Sequence, residues 1–86
     1  MALDGNVIGG LLLEIFGSDM TSARATCAVC GTVSPVAETT VYIRGPGTVV
    51  RCRRCGSVLM VVARIRELNC VDLSGVAALE TTRADE

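Results

Sequence analysis

Lysine, histidine and tryptophan are absent from the 86 residues, and Phe16 and Tyr42 are the only aromatic side chains. Each absence narrows the function. Without histidine the chain lacks the commonest general base and the commonest metal ligand. With two rings, a core has to be built from Val, Leu, Ile and Ala, which bury less area per side chain. Few rings also leave little for stacking on nucleic-acid bases. Long apolar runs are scarce as well. Val7 to Phe16 is too short to span a bilayer and contains Glu14. It lacks the basic start of a signal peptide, because the first cation is Arg24 and Asp4 precedes the run. These features predict a cytoplasmic protein with no membrane association.

At this length the expectation is one domain over residues 1–80, with 81–86 as a flexible tail. Domains of this size bury a small fraction of their surface and often need a staple. The net charge of −1 argues against indiscriminate binding to nucleic acid or membranes.

Val7, Ile8, Leu11, Leu12, Ile15 and Phe16 recur at helical spacing and predict an amphipathic helix over residues 4–18. Asp4 suits its N-cap and Gly17 its C-cap. Residues 20–73 read as β-structure, with strands at 21–26, 39–44, 48–52, 58–66 and 70–73. Gly45-Pro46-Gly47-Thr48 predicts a type II turn, with proline second and glycine third. Residues 76–79 predict a last turn of helix.

Five cysteines are present, four of them in Cys27-Ala-Val-Cys30 and Cys52-Arg-Arg-Cys55. Gly31 and Gly56 follow these pairs, and glycine there permits the left-handed backbone with which a metal knuckle turns two sulfurs inward. The segment from Cys30 to Cys52 is long enough for two strands and a turn, which would bring both pairs to one tetrahedral four-sulfur site. One structural Zn²⁺ held by Cys27, Cys30, Cys52 and Cys55 is expected. Iron in the same cage, as in a rubredoxin-like electron carrier, is a rival, although rubredoxins pack aromatic residues around the iron. Thioredoxin-like redox chemistry is a second rival, but neither pair has the βαβ setting it needs. Four sulfurs leave tetrahedral zinc no open position, so no enzymatic activity and no small-molecule substrate are expected. Cys70 is read as a buried strand residue, with a reactive thiol or a fifth ligand as alternatives.

Knuckle, hairpin, knuckle and strand over residues 21–73 resemble the zinc-ribbon group. The implied fold is a small α+β, mainly β ribbon with the N-terminal helix packed on an antiparallel sheet. The whole chain also resembles a family of small actinobacterial proteins of unknown function. That likeness rests on Asp4-Gly5-Asn6, Ala25 to Gly31, Pro35-Val36-Ala37-Glu38, Arg51 to Gly56 and Val71 to Gly75. It implies zinc at the four cysteines and carries no activity.

Six of the eight arginines, Arg44, Arg51, Arg53, Arg54, Arg64 and Arg66, share a window without Asp or Glu. Two partner classes follow. A protein-interaction module would use the helix face of Leu11, Leu12, Ile15 and Phe16, toward an unknown partner or a second copy as a homodimer. A nucleic-acid or ribosome- and transcription-associated ribbon would use Arg51, Arg53, Arg54, Arg64 and Arg66 as phosphate contacts.

Overall fold

The computed structural model describes residues 2–81. Over these residues the chain is mainly β, with one short α-helix and two antiparallel sheets. Strands β1 (Ala2–Asp4), β4 (Thr40–Arg44), β5 (Gly47–Arg51), β6 (Val58–Ile65) and β7 (Leu68–Asp72) form a five-stranded sheet in the order β1-β4-β5-β6-β7. Strands β2 (Arg24–Cys27), β3 (Val33–Pro35) and β8 (Val76–Glu80) form a three-stranded sheet in the order β3-β2-β8.

The helical segment opens as a 3₁₀ turn, Gly5–Ile8, and continues as α1, Gly9–Phe16. The Asp4 carboxylate accepts from the Asn6 N–H at 3.1 Å, as an N-cap does. Gly17 closes the helix at φ 76°, with its N–H donating to the Leu13 carbonyl. A tight first turn suits this place because Gly5 lies against the Val36 carbonyl, where a Cβ would come within 1.8 Å of the oxygen.

Ile8 and Leu12 reach a single apolar cluster with Met20, Ala25, Val36, Val41, Val50, Leu59, Met60 and Val62. Alternation assigns the two faces of the large sheet. Val41, Val50 and Met60 pair across β4, β5 and β6 and point to the core, as do Thr48 and Val62. Their neighbours Tyr42, Val49 and Val61 point the other way.

Three expectations are corrected, and one strand is added. The β4–β5 turn is a two-residue loop, since Arg44 pairs with Gly47, and its glycine of positive φ is Gly45 at 53°. Glycine first and proline second is the pattern of a type II′ turn, whose twist matches that of the flanking strands. Residues 76–79 are not helical; they belong to β8, because β2 has a free edge there and offers a ladder that so short a helix could not replace. Strand β1 had no sequence signal. Cys70 is exposed rather than buried, because it pairs with Ala63 on the outer face while Val71 faces the core. Of the expected tail, residues 82–86 lie outside the described residues.

Candidate metal centre

Each cysteine pair occupies a tight turn leaving a strand. The first knuckle joins β2 to β3, and the second joins β5 to β6. Their backbones repeat one pattern. Gly31 N–H donates to the Cys27 carbonyl and Gly56 N–H to the Cys52 carbonyl, both at 2.9 Å. Cys27 N–H then donates to the Thr32 carbonyl at 2.9 Å and Cys52 N–H to the Ser57 carbonyl at 2.8 Å. Gly31 and Gly56 take φ 75° and 79°, which a side chain would strain.

The knuckles face each other. Cys27 Sγ lies 3.7 Å from Cys55 Sγ, Cys30 Sγ lies 3.7 Å from Cys52 Sγ, and all four sulfurs fall within 4.8 Å of one another. Such separations are far beyond a disulfide bond of about 2.05 Å. They suit metal coordination: four sulfurs about 2.3 Å from a tetrahedral ion stand about 3.8 Å apart. These four cysteines could therefore hold one metal ion, and a four-sulfur set suits zinc or iron. Cys27 and Cys52 are buried while Cys30 and Cys55 are exposed, so the cage is dry on one side and open on the other.

The surroundings favour thiolates unevenly. The Ser57 hydroxyl, 3.2 Å away, and the Cys30 N–H bring the Cys27 thiol down to about 6. The Thr32 hydroxyl, 3.1 Å away, together with the Thr32 N–H, lowers Cys30. Burial pushes the Cys52 thiol up. Ser57 also lies 3.1 Å from Cys55 Sγ, so one hydroxyl serves both knuckles. Thr32 and Ser57 occupy equivalent places, two residues beyond Cys30 and Cys55. The sequence reading missed both, although a hydroxyl at that offset after each pair was a legible signal.

Cys70 is not among the clustered thiols. The arginines do not form one free basic face. Arg53 pairs with Glu38 at 3.0 Å and Arg64 with Glu14 at 2.7 Å, so folding brings carboxylates into a window that contains none in sequence. Arg51 donates to the Gly56 carbonyl at 2.9 Å, beside the second knuckle, and its guanidinium lies 5.8 Å from the centre of the Tyr42 ring. Arg44, Arg54 and Arg66 are exposed. Leu12 is fully buried, Leu11 and Ile15 are packed partly into the core, and Phe16 keeps 36% of its surface exposed. The helix face thus packs against its own chain, with Phe16 at the margin. Among the described residues, no helix is long and apolar enough to cross a membrane.

The model of a family of unknown function, DUF6510, matches residues 1–84 of the chain. No curated protein and no solved structure matches this chain.

Proposed function

The chain belongs to the DUF6510 family, and on that premise we propose that it is a zinc-stapled protein-interaction module of zinc-ribbon type, with one structural Zn²⁺ at Cys27, Cys30, Cys52 and Cys55. The observation that carries the reading is the pair of 3.7 Å sulfur separations across the two knuckles, close to the edge of a zinc–thiolate tetrahedron. Four protein sulfurs complete the coordination of zinc and leave no site for water or substrate, which favours a structural over a catalytic ion. With no histidine, the chain also lacks the usual base for metal-assisted hydrolysis. Zinc is favoured over iron because the chain's only two rings are Phe16 and Tyr42, too few to enclose an iron–sulfur electron carrier. A protein without a reactive centre acts through its surface.

Two measurements test this. Elemental analysis of the purified chain is expected to return one zinc per chain; stoichiometric iron with thiolate charge-transfer absorption would replace the reading with an electron carrier. A tagged chain recovered from native lysate, with half the sample nuclease-treated, is expected to retain a protein in fixed ratio in both halves. Partners lost with nuclease, and lost again on replacing Arg51, Arg53 and Arg54 with Ala, would move the function to nucleic acid. That second reading is weakened by the ion pairs that occupy Arg53 and Arg64.

A further inference from the structure

A hollow of about 560 Å³, open to solvent on one side, lies on the outer face of the five-stranded sheet, walled by Tyr42, Arg44, Val49, Arg51 and Gly56. That volume falls in the range of about 300–1,000 Å³ in which small molecules are held. Tyr42 on β4 pairs directly with Val49 on β5, and Val49 with Val61 on β6. All three are half-buried and share the outer face, so they form an apolar floor. Arg44 lies two residues beyond Tyr42 on β4, and Arg51 two residues beyond Val49 on β5. Because these strands are antiparallel, the two arginines stand at opposite ends of the floor, about 14 Å apart along the strands.

Arg51 is fixed in advance. Its Nη1 donates to the Gly56 carbonyl at 2.9 Å, and its guanidinium leans over the Tyr42 ring, 5.8 Å from the centre. A guanidinium carries five N–H donors, so this bond leaves others for a ligand. Holding the head in place also removes part of the rotamer entropy that a free arginine loses on binding. Neither arginine ion-pairs with a carboxylate among the described residues. The acids of the same face stand off from the hollow. Asp4 pairs with Thr40, which pairs with Arg51, so it lies two strands away, about 10 Å, and its carboxylate accepts from the Asn6 N–H. Asp72 lies three strands from Tyr42, about 14 Å, and its carboxylate accepts from the Ser74 N–H. No wall of the hollow is a carboxylate.

Two guanidinium groups at the ends of one apolar floor define the chemistry of what fits between them. A carboxylate is satisfied by a single fork of N–H donors. A phosphate monoester carries about two negative charges and three acceptor oxygens, and can take a fork from each side. We propose that the hollow binds a small aromatic phosphate monoester, whose phosphate meets Arg51 and Arg44 and whose ring rests on Val49 and Val61. Arg51 presents its donors over the middle of the floor, and Arg44, exposed and without an ion-pair partner, folds in from the other end. This goes beyond the interaction-module reading by giving the surface a ligand, and it does not depend on the metal.

Titration of the zinc-loaded chain with phenyl phosphate, followed by amide NMR shifts, tests the proposal. Saturating shifts are expected at β4, β5 and Gly56, with a Kd of about 1 mM or tighter. Inorganic phosphate, which lacks the ring, and phenol, which lacks the anion, are each expected to bind about tenfold more weakly. Arg44→Gln is expected to weaken phenyl phosphate about tenfold, with zinc per chain and melting temperature unchanged. Arg51→Gln is expected to weaken it at least as much, but it also removes a bond to the second knuckle, so the exposed Arg44 carries the decision. Arg24→Gln, on the other sheet, is expected to change nothing. Shifts that do not saturate, inorganic phosphate binding as tightly as phenyl phosphate, or equal losses in Arg24→Gln and Arg44→Gln would each overturn the site. Any of these leaves the zinc-stapled module standing, whereas that reading fails on zinc content, measured separately.

Discussion

At the scale of single residues, the site depends on groups that are not ligands. Ser57 sits 3.2 Å from Cys27 Sγ and 3.1 Å from Cys55 Sγ and can give its proton to only one sulfur at a time. Its hydroxyl is the leading reason that Cys27 titrates near 6. A thiol lowered in this way favours the thiolate above its unfolded pKa, and that advantage disappears as pH falls through the folded value. Metal binding requires the thiolate, so protons and metal compete. Ser57→Ala should therefore raise the Cys27 pKa, weaken metal binding about tenfold and move the midpoint of acid-driven metal release to higher pH. A chelator-indicator titration across pH would show this, and an unmoved midpoint would remove Ser57 from the site. Gly75 is the second sensitive position. A Cβ there would come within 1.8 Å of the Val58 carbonyl, where Gly75 N–H donates to the Leu59 carbonyl at 3.2 Å. Gly75→Ala should cost about 2–4 kcal/mol, read by denaturant unfolding, because the obstacle is backbone and cannot rotate away.

At the scale of elements, the helix separates burial from exposure within a few residues. Leu12→Ala should cost about 2–5 kcal/mol, since its side chain is fully buried. Phe16, 36% exposed, should cost far less when replaced, and thermal melts of the two variants would rank them. Equal losses would mean that Phe16 is covered in solution. The helix was legible in sequence because a three-four spacing of apolar residues leaves one solution, and Asp4 and Gly17 mark its ends. The hairpin strands were legible from their β-branched runs, and the clustering of the four cysteines from two identical spacings. Residues 76–80 were not legible. Val-Ala-Ala-Leu-Glu favours helix by propensity, and its strand exists only because β2 offers an edge, a contact about fifty residues away in sequence. Ala2–Asp4 is invisible for the same reason, being a strand by virtue of β4. The ion pairs Arg53–Glu38 and Arg64–Glu14 likewise needed the fold, because each acid lies outside the arginine window.

At the scale of the whole molecule, the metal centre links the two sheets. One knuckle leaves the three-stranded sheet and the other the five-stranded sheet, so an ion held by the four cysteines would close a cross-link between layers whose apolar cluster is built largely from small and aliphatic side chains. Structural zinc supplies about 10–16 kcal/mol of apparent binding free energy in small peptides. Chelation, or Cys52→Ser, should therefore release the smaller sheet first. Hydrogen exchange in β2, β3 and β8 is expected to accelerate before that in β4, β5 and β6. A variant with an unchanged melting temperature would deny the ion a structural role.

The placement of the knuckles also bears on how an ion would be acquired. Each hairpin carries a complete pair of thiols at its own turn, so a chain with only local structure is already two independent bidentate chelators. Whether it closes one site or captures two ions depends on how many ions are offered per chain. Metal in excess would trap molecules with both pairs separately loaded, and the yield of native chain would pass through a maximum near equal amounts of metal and protein.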